Sequence, residues 1–439
     1  MAKKTKKECS PEERLAAARV PKEEWPYELP EGWEWVRLEG VATHISDGSH
    51  NPPKDTGVGI PILSAVNIHD HMIDIESATR WITEEQWEKE NQRTKIEEND
   101  VLLTIVATLG RTAVVGKEVF ALQRSVAVIK PTINSRFLSY FFESPFIQQY
   151  MIDHAKGTAQ KGFYLASLKK MPCIVPPLET QQRIVDHIES LFAKLDQAKE
   201  KAQQALATSE TRKAAILHQA FTGQLTEKWR AENSVSMEEW ETVKLKDVCE
   251  KITDGTHHSP QSFDAGEYMY VTAKNIKEYG IDLNNITYVS KDVHDEIYSR
   301  CDVRYGDVLY IKDGATTGIA TVNTIEEQFS LLSSVAVLRP VAERLDARYL
   351  TYNLNSAETK AMMINNMSGN AITRLTLKKI KDAEIMICSL HEQQEIVRIL
   401  DELLAKEQQI TALAEAVLDE IEATKKSILA KAFRGEWHK

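Results

Sequence analysis

The segment Ile45–Pro53, "ISDGSHNPP", is the first place in the chain where side-chain types and spacing suggest chemistry. Asn51–Pro53 matches the start of the Asn-Pro-Pro-aromatic loop with which adenine-N6 methyltransferases hold a flipped base. However, Lys54 stands where the stacking aromatic is needed, and the sequence contains no Phe-x-Gly-x-Gly loop for S-adenosylmethionine. Because Pro-Pro is a common loop composition, we interpret the match as a turn, and a catalytic loop is the alternative.

Metal and thiol chemistry receive little support. No Cys-x-x-Cys pair or Cys/His cluster with zinc-ligand spacing occurs among the five cysteines, Cys9, Cys173, Cys249, Cys301 and Cys388. We therefore predict reduced thiols in a cytoplasmic protein, and no metal site. The longest apolar run, Val101–Leu109, is too short to span a membrane, and the first residues lack the apolar segment of a secretory signal.

The chain is a tandem repeat, and the repeat determines the predicted architecture. "LETQQRIVDHIESLFAKLDQ" from Leu178 matches "LHEQQEIVRILDELLAKEQQ" from Leu390, 212 positions later. "VRLEGVATHISDGSHNPP" from Val36 matches "VKLKDVCEKITDGTHHSP" from Val243, 207 positions later. The second copy keeps Asp-Gly-Ser/Thr-His but has His258–Pro260 in place of Asn-Pro-Pro, which further favours a turn. Each half is predicted to be an α/β module followed by one long helix.

Two segments without proline or glycine, Gln181–Leu217 and Gln393–Leu429, are predicted to be helices of about 55 Å at 1.5 Å per residue. Apolar residues in the second segment follow coiled-coil spacing at Ile396, Leu400, Leu403, Ile410, Ala414, Val417, Ile421 and Ile428, with Glu407 and Thr424 as polar exceptions. The first segment has a similar seam at Ile184, Ile188, Leu191, Leu195, Ala198, Ala202, Ala205 and Ile216. We predict that the helices pair antiparallel, which would give the modules the twofold symmetry of duplex DNA. The alternative is that each helix lies on its own module.

Composition sets limits on the function. A content of 42% hydrophobic and 27% charged residues is typical of a globular protein, and a length of 439 residues predicts several domains. The net charge of -11 disfavours a protein with one uniformly basic DNA-binding surface. DNA contacts must then come from local Lys and Arg clusters, or a partner subunit must supply part of the positive surface.

Several segments resemble the specificity subunit of type I restriction–modification systems, over nearly the whole chain from about Trp33 to Trp437. They are "GWEWVRLEGVATHISDGSH" in the first half, "PPLETQQRIV" and "LHEQQEIV" at the helix starts, and "ILHQAFTGQLTEKWR" after the first helix. The resemblance implies an α/β (α+β) fold of duplicated modules: two target recognition domains with mixed β-sheets, separated by two long antiparallel coiled-coil helices with pseudo-twofold symmetry. The boundaries that we assign are an N-terminal extension (1–31), target recognition domain 1 (32–178), a central helical spacer region (179–230), target recognition domain 2 (231–390) and a C-terminal helical spacer region (391–439).

The resemblance also implies a function. A subunit of this family is not catalytic and reads an asymmetric bipartite DNA site. Two methyltransferase subunits carry S-adenosylmethionine chemistry on adenine N6, restriction subunits carry ATP- and Mg²⁺-dependent translocation and cleavage, and this chain is expected to hold no cofactor. The chain departs from the repeat at Thr180, where the second copy has Glu392. The alternatives from other classes are a self-sufficient adenine-N6 methyltransferase and a coiled-coil scaffold that binds proteins.

Candidate DNA-binding residues are polar side chains on predicted loops, because such side chains read base edges and bind phosphates. In the first module they are Ser49, His50, Asn67, Thr108, Arg111, Arg124, Gln160, Lys161 and Tyr164. In the second they are Thr256, His257, His258, Lys274, Asn275, Lys312, Thr316, Thr317, Asn370, Thr373 and Arg374.

Each candidate also has a structural interpretation. The Asp-Gly pairs at Asp47 and Asp254 are equally consistent with tight turns, and the histidines that follow them with packed side chains. Arg111 and Lys312 follow apolar strands, where a salt bridge is as plausible as a base contact. The sequence alone leaves these alternatives open.

Overall fold

The computed structural model describes residues 10–69, 71–157, 161–278, 280–365 and 375–437. The chain forms two compact units. Unit 1 contains the chain up to Ala202 together with Ala416 and the residues after it, and unit 2 contains Gln203–Glu415. Each unit therefore combines one copy of the α/β module with parts of both long helical segments, as the repeat predicts.

The first copy begins with a short helix and then alternates strands with helices. Its strands are β1 (Glu34–Arg37), β2 (Ala42–Asp47), β3 (Ile60–Leu63), β4 (Ile68–His69), β5 (Met72–Ile73), β6 (Trp81–Ile82), β7 (Val101–Thr104), β8 (Thr112–Val114), β9 (Ala121–Leu122), β10 (Val126–Pro131) and β11 (Pro172–Val175). Its helices are α1 (Pro11–Ala17), α2 (Glu84–Thr94), α3 (Ser135–Phe142), α4 (Pro145–His154), α5 (Leu165–Lys169) and α6 (Leu178–Ala207), with short 3-10 helices at Lys22–Glu24, Leu38–Gly40 and Ala65–Asn67.

The second copy repeats this order. Its strands are β12 (Glu241–Lys244), β13 (Cys249–Asp254), β14 (Tyr268–Val271), β15 (Ile276–Lys277), β16 (Gly280–Ile281), β17 (Thr287–Val289), β18 (Val308–Ile311), β19 (Ala320–Val322), β20 (Ser330–Leu331), β21 (Val335–Pro340) and β22 (Glu384–Ile387). Its helices are α7 (Ser209–Phe221), α8 (Glu227–Asn233), α9 (Leu245–Val248), α10 (Lys291–Arg300), α11 (Ala347–Asn355), α12 (Ala357–Asn365), α13 (Leu377–Asp382) and α14 (Leu390–Phe433), with a 3-10 helix at Met237–Glu239.

The sheets of the two copies have the same topology. A four-stranded antiparallel sheet in the order β2-β10-β7-β8 corresponds to β13-β21-β18-β19. A three-stranded sheet in the order β6-β3-β9 corresponds to β17-β14-β20 and contains one parallel pair in each copy. The prediction of duplicated modules with mixed sheets is therefore confirmed.

Alternate residues of the central strands point into two different cores, as expected for a sheet that is covered on both faces. In unit 1, Val101 and Leu103 of β7 join one apolar cluster, whereas Leu102 joins another. In unit 2, Val308 and Leu309 of β18 are divided in the same way. Burial on both faces fixes the register of these strands, so the loops that follow start from defined positions.

The long helical segments pack against each other within each unit. In unit 1 the cross-helix ion pairs are Asp196–Lys425 (2.6 Å) and Lys199–Glu422 (3.3 Å). In unit 2 the corresponding contacts are Ser209–Thr411 (3.2 Å) and Arg212–Glu407 (2.9 Å). Residue numbers rise along one helix as they fall along the other, so the predicted antiparallel pairing is confirmed inside each unit.

The prediction of one unbroken helix over Gln181–Leu217 is wrong, because the helix is interrupted at Thr208. There the carbonyl oxygen of Ala205 accepts hydrogen bonds from the side chains of Thr208 (3.4 Å) and Arg212 (3.1 Å). Side-chain donors that bind a helix carbonyl in this way compete with the backbone ladder and bend or break the helix. The second predicted helix is confirmed as the continuous α14.

The seam predicted for the second helix is buried or half-buried at nine of its ten positions, and Ile410 is the exception at 41% exposed. The polar Glu407 is buried because Arg212 neutralises it, which confirms that this position belongs to the seam. No helix in the described parts of the chain is long and apolar enough to cross a membrane.

Candidate nucleic-acid interface

One edge of the first module gathers the ends of several strands, and we term it the strand-end edge. The segments that follow β2, β3, β7 and β9 meet there with the segment that precedes β10. Backbone hydrogen bonds join them: Ser49 N to Leu122 O (2.6 Å), Arg124 N to Ser49 O (2.9 Å), Gln123 N to Leu63 O (2.8 Å) and Ile105 N to Ser125 O (2.8 Å). Phe163 N donates to Ile105 O (2.7 Å), so the segment before α5 lies at the same edge. Most of the candidate residues of this module are on these segments.

The second module has an equivalent strand-end edge. Its bonds are Thr256 N to Leu331 O (2.8 Å), Ser333 N to Thr256 O (2.8 Å), Leu332 N to Val271 O (3.1 Å), Lys312 N to Ser334 O (2.9 Å) and Leu375 N to Lys312 O (3.1 Å). The duplication thus repeats the paths of the loops as well as the fold.

The Asp-Gly-Ser/Thr-His motif is first of all a packing motif. A Cβ atom on Gly48 would lie 2.3 Å from the carbonyl carbon of Leu122, and one on Gly255 would lie 1.9 Å from the carbonyl oxygen of Leu331. Only glycine permits so close an approach between two backbones. The next residue, Ser49 or Thr256, donates its backbone N–H to the same strand residue, Leu122 or Leu331. The histidine is therefore the first exposed residue of the motif.

The aspartate of the motif holds an arginine at the first strand-end edge. The side chain of Asp47 is 10% exposed and binds Arg93, at the end of α2, while His50 Nε2 lies 2.9 Å from its other oxygen. Arg93 also donates to the backbone oxygens of Asp47 (2.8 Å) and Gly48 (3.0 Å). With a side chain that is 46% exposed, Arg93 remains accessible to an anion such as a phosphate.

The second module repeats this arrangement with one more cation. Arg300, at the end of α10, donates to Asp254 (2.6 Å), and His257 Nε2 lies 3.5 Å from the same oxygen. Lys312 Nζ lies 3.4 Å from the other oxygen of Asp254 and 3.2 Å from Asp313. Because Lys312 is only 6% exposed, we correct its predicted role from DNA contact to internal ion pair.

Arg93 and Arg300 were not among the residues predicted from the sequence. They stand 207 positions apart, the same spacing that relates the two Asp-Gly motifs. That shared spacing was the signal that could have identified them. It was overlooked because candidates were taken from predicted loops, whereas Arg93 and Arg300 lie at the ends of the helices α2 and α10.

Asn67 and Asn275 also need correction. They are 3% and 6% exposed, and each side chain is used inside the fold. Asn67 Oδ1 accepts from Ser64 N (2.9 Å), and its Nδ2 donates to Ser77 Oγ (2.9 Å). Asn275 Oδ1 accepts from Thr272 N (3.0 Å). A buried amide with these partners closes a turn and has no free surface for a base.

The other candidates of the first module lie at the strand-end edge with different exposures. His50, Arg111, Arg124, Lys161 and Tyr164 are exposed, Thr108 is half-buried, and Ser49 is buried. Tyr164 is 52% exposed, and its ring covers Gly162. The predicted DNA contacts of the exposed residues stay predictions.

In the second module, His257, His258, Lys274 and Thr316 are exposed, whereas Thr256 and Thr317 are half-buried. Thr317 Oγ1 donates to Gly314 O (2.7 Å), and Thr256 Oγ1 donates to His258 O (3.2 Å). These two hydroxyls stabilise the local loops. Gln160, Asn370, Thr373 and Arg374 lie outside the described residues.

Each helix that follows a module is fixed to it by the first glutamine of the Gln-Gln pair. Gln181 Oε1 accepts from Asn134 N (2.9 Å), and its Nε2 donates to Pro176 O (2.8 Å). Gln393 makes the same bonds with Asp346 N (2.9 Å) and Cys388 O (2.8 Å). This motif therefore fixes the direction in which the helix leaves the module.

The residue before this glutamine differs between the units. Glu392 is fully buried and accepts hydrogen bonds from Arg230 (2.6 Å) and Trp240 (3.0 Å). Thr180 occupies the equivalent position in unit 1 and lines an open pocket of about 250 Å³ beside Trp33. The two helix starts share a backbone but present different surfaces.

The four cysteines within the described residues show no sign of reactivity. Burial raises the pKa of Cys249 and Cys301 to about 12 and raises the pKa of Cys173 and Cys388 further. Such thiols are protonated and unreactive at neutral pH. Within the described ranges, no group of three His, Cys, Asp or Glu side chains is arranged to hold a metal ion.

Comparison with known families gives a match over most of the chain. The family model described as "Type I restriction modification DNA specificity domain" matches residues 30–207 and 237–422. The two matches correspond to the two copies of the repeat.

Individual relatives carry the same description. The chain is 31% identical to the type I restriction enzyme EcoBI specificity subunit of Escherichia coli over 212 residues, or 47% of this chain and 44% of that protein. It is 22% identical to the EcoKI specificity subunit of E. coli strain K12 and 24% identical to the StySPI specificity subunit of Salmonella potsdam. Each of these two alignments covers 93% of this chain and 90% of the relative.

Solved structures support the fold. A chain from a study of complex assembly and conformational transition of the type I R-M system aligns with a TM-score of 0.68 and 21% identity, over 93% of this chain and all of that chain. The HsdS subunit from Thermoanaerobacter tengcongensis aligns with a TM-score of 0.59 and 20% identity, over 94% of this chain and 99% of that chain.

Proposed function

The chain belongs to the type I restriction–modification DNA specificity family, and from that membership we propose that it reads an asymmetric bipartite DNA site. Each α/β module contacts one half of the site through its strand-end edge. The chain is the recognition component and not an enzyme. It directs adenine-N6 methylation, or cleavage, by partner subunits.

The observation that carries this proposal is the pair of strand-end edges. Both are built by the same backbone hydrogen bonds around the same Asp-Gly and arginine, but their exposed side chains differ. Arg124 is exposed in the first module where the second has Ser333. A shared backbone framework that carries different exposed polar side chains suits two modules that read different base sequences, because such side chains distinguish base edges.

The helices provide the spacing between the half-sites. The α14 helix has 44 residues and is therefore about 65 Å long at 1.5 Å per residue. We propose that the paired helices act as a spacer, so that the bases between the half-sites are not read.

The partners follow from the family. We propose that two methyltransferase subunits and restriction subunits bind this chain, and that S-adenosylmethionine, ATP and Mg²⁺ are bound by those partners. The net charge of -11 fits this division, because the partners can supply the positive surface that surrounds the DNA.

The proposal is tested by footprinting the complex of this chain with its methyltransferase partner on DNA from its own genome. We expect protection of two short sequences separated by bases that tolerate substitution, and N6-methyladenine within both. A scaffold protein would protect no split sequence. The purified chain alone, incubated with labelled S-adenosylmethionine and the same DNA, should transfer no label; transfer would favour the self-sufficient methyltransferase.

A further inference from the structure

Two equivalent turns at the strand-end edges have the same internal structure. They are Ser64–Asn67 in the first module and Thr272–Asn275 in the second, 208 positions apart. In each, the asparagine N–H donates to the carbonyl of the first residue (3.0 Å in both). The asparagine side chain then accepts from the N–H of that first residue, at 2.9 Å and 3.0 Å. The turn is thus closed from both sides.

Both turns are also anchored to the rest of the edge in the same way. The N–H of the second residue donates to a serine hydroxyl at the start of the neighbouring strand, from Ala65 to Ser125 (3.1 Å) and from Ala273 to Ser334 (3.4 Å). The asparagine carbonyl accepts from the aspartate seven residues later, at 2.8 Å and 2.7 Å. The backbone of each turn therefore has little freedom to move.

The third residue of the turn is the one that differs in chemistry. It is Val66 in the first module and Lys274 in the second. Val66 is 69% exposed although Ala65 and Asn67 on either side of it are buried, and Lys274 is exposed as well. A single exposed valine needs no explanation by itself. Here, however, the same rigid turn presents an apolar side chain in the first module and a cation in the second, and each turn lies at the strand-end edge of its own module.

We propose that Val66 and Lys274 occupy equivalent base-reading positions, Val66 on the C5-methyl group of a thymine and Lys274 on the N7 and O6 acceptors of a guanine. These are the major-groove groups that apolar and cationic side chains distinguish. The β-branched valine suits this role because its χ1 angle is restricted, so little side-chain freedom is lost on contact. This inference rests on the proposed function and specifies one determinant in each half-site.

The test of Val66 is a deoxyuridine scan of the half-site that the first module reads, with the full chain in its methyltransferase complex. Replacement of the contacted thymine by deoxyuridine removes only the methyl group, and we expect affinity to fall about fourfold at one position, as for the loss of one buried methyl group. In a Val66→Ala complex the same replacement should have no further effect. Val119→Ala is the matched control, because Val119 is also exposed (52%) but precedes β9 at the end away from the edge.

The test of Lys274 is a scan of the other half-site with 7-deazaguanine, which lacks N7. We expect a loss of about tenfold at one guanine with the unmodified chain, and no such loss with Lys274→Met. Lys246→Gln, at the opposite end of β13 from Asp254, is the control for a general loss of positive charge.

The outcomes distinguish failure of the proposed function from failure of this inference alone. If the unmodified complex protects no bipartite sequence, the proposed function fails and this inference fails with it. If the bipartite site is protected, but the variants respond to both base analogues as the unmodified chain does, only the inference is overturned. It is equally overturned if the unmodified chain is indifferent to both analogues at every position.

Discussion

Unit 1 and unit 2 share a backbone plan but differ in how much paired charge they bury. At the helix start, unit 2 buries Glu392 against Arg230, whereas unit 1 has the neutral Thr180. At the strand-end edge, Asp254 is paired with both Arg300 and Lys312, whereas Asp47 is paired with Arg93. The backbone hydrogen bonds of the strand-end edges, and the glutamine bonds that fix the helix starts, are repeated in both.

The comparison of the two units separates features that are repeated in both copies from features that differ. Features repeated in both copies, such as Gln181 and Gln393, hold the helix and the loops in place. Features that differ are charged or exposed side chains. Removal of one partner of a buried ion pair is strongly destabilising, so the helix start of unit 2 should be more sensitive to substitution of its charged residue than the helix start of unit 1 is to substitution of Thr180.

The largest effect is expected from Glu392→Ala. The substitution leaves the guanidinium of Arg230, which is 10% exposed, without its carboxylate, and an unpaired buried charge of this kind destabilises by about 3–5 kcal/mol. Thr180→Ala is the matched variant in unit 1 and should change stability by less than about 1 kcal/mol. Denaturant unfolding combined with hydrogen exchange at the start of α14 measures both.

A Glu392→Gln variant sharpens the result. Glutamine keeps an acceptor for Trp240 and Arg230 but lacks the charge, so we expect a loss between those of the alanine variants. If Glu392→Ala and Thr180→Ala proved equally mild, the claim that unit 2 depends on buried paired charge would have to be abandoned.

Gly48→Ala should be the next most damaging change. The added Cβ would overlap the backbone of Leu122, which cannot move without disturbing β9, and we expect about 3 kcal/mol of destabilisation. Gly255→Ala should behave alike, because this part of the two units is the same. Gly57→Ala is the control: its φ is +71° but no atom lies within 4 Å, so only backbone strain of about 1 kcal/mol is expected. A thermal shift for Gly48→Ala no larger than for Gly57→Ala would argue against the packing role of the motif.

Much of the fold was predictable because it depends on periodic signals. The repeat, the helix seam and the two long helices were visible in the sequence, and the structure confirms them apart from one break. The break at Thr208 was missed because it arises from side-chain hydrogen bonds to Ala205, and no proline or glycine marks it. Local composition does not reveal a competition of this kind.

Less of the candidate interface was predictable. Polarity and loop position selected some residues that are exposed, such as His50 and Lys274, but they also selected Asn67 and Lys312, which are buried. A polar residue in a loop has the same sequence signature whether it faces water or closes a turn. Only the tertiary partners, here Ser64 for Asn67, distinguish the two cases.

Substitution of Arg93 or Arg300 tests the same difference in paired charge with a smaller expected loss of stability. Arg93→Ala leaves Asp47 with His50 alone, and we expect a loss of about 2 kcal/mol. Arg300→Ala leaves Asp254 with Lys312 as well, so the loss should be below about 1 kcal/mol. Hydrogen exchange resolved by unit provides the measurement, and a larger loss in unit 2 than in unit 1 would contradict the expectation.

The pH dependence of the two units provides the smallest and most specific contrast. Burial raises the pKa of Asp100 in unit 1, even though Lys130 lies 3.0 Å away and opposes the shift. Burial acts in the same direction on Asp302 in unit 2, but the hydrogen bond from Lys251 and the charge of Arg339 outweigh it and lower the pKa to about 2.

These opposite shifts predict opposite responses to acid. Asp302 contributes stability that is complete above the pKa of an unfolded aspartate, about 3.9, and is lost as the pH falls toward 2. Asp100 favours its protonated form in the fold, so its site is most stable below the unfolded pKa and loses stability as the pH rises through the raised value. Asp302→Asn should therefore make unit 2 less sensitive to acid between about pH 4 and 2, whereas Asp100→Asn should make unit 1 more sensitive to acid as the pH falls to about 4 from above. Hydrogen exchange followed in each unit from neutral pH down to about pH 2 distinguishes the two, and shifts of the same sign in both variants would show that neighbouring charges, and not burial, dominate at Asp100.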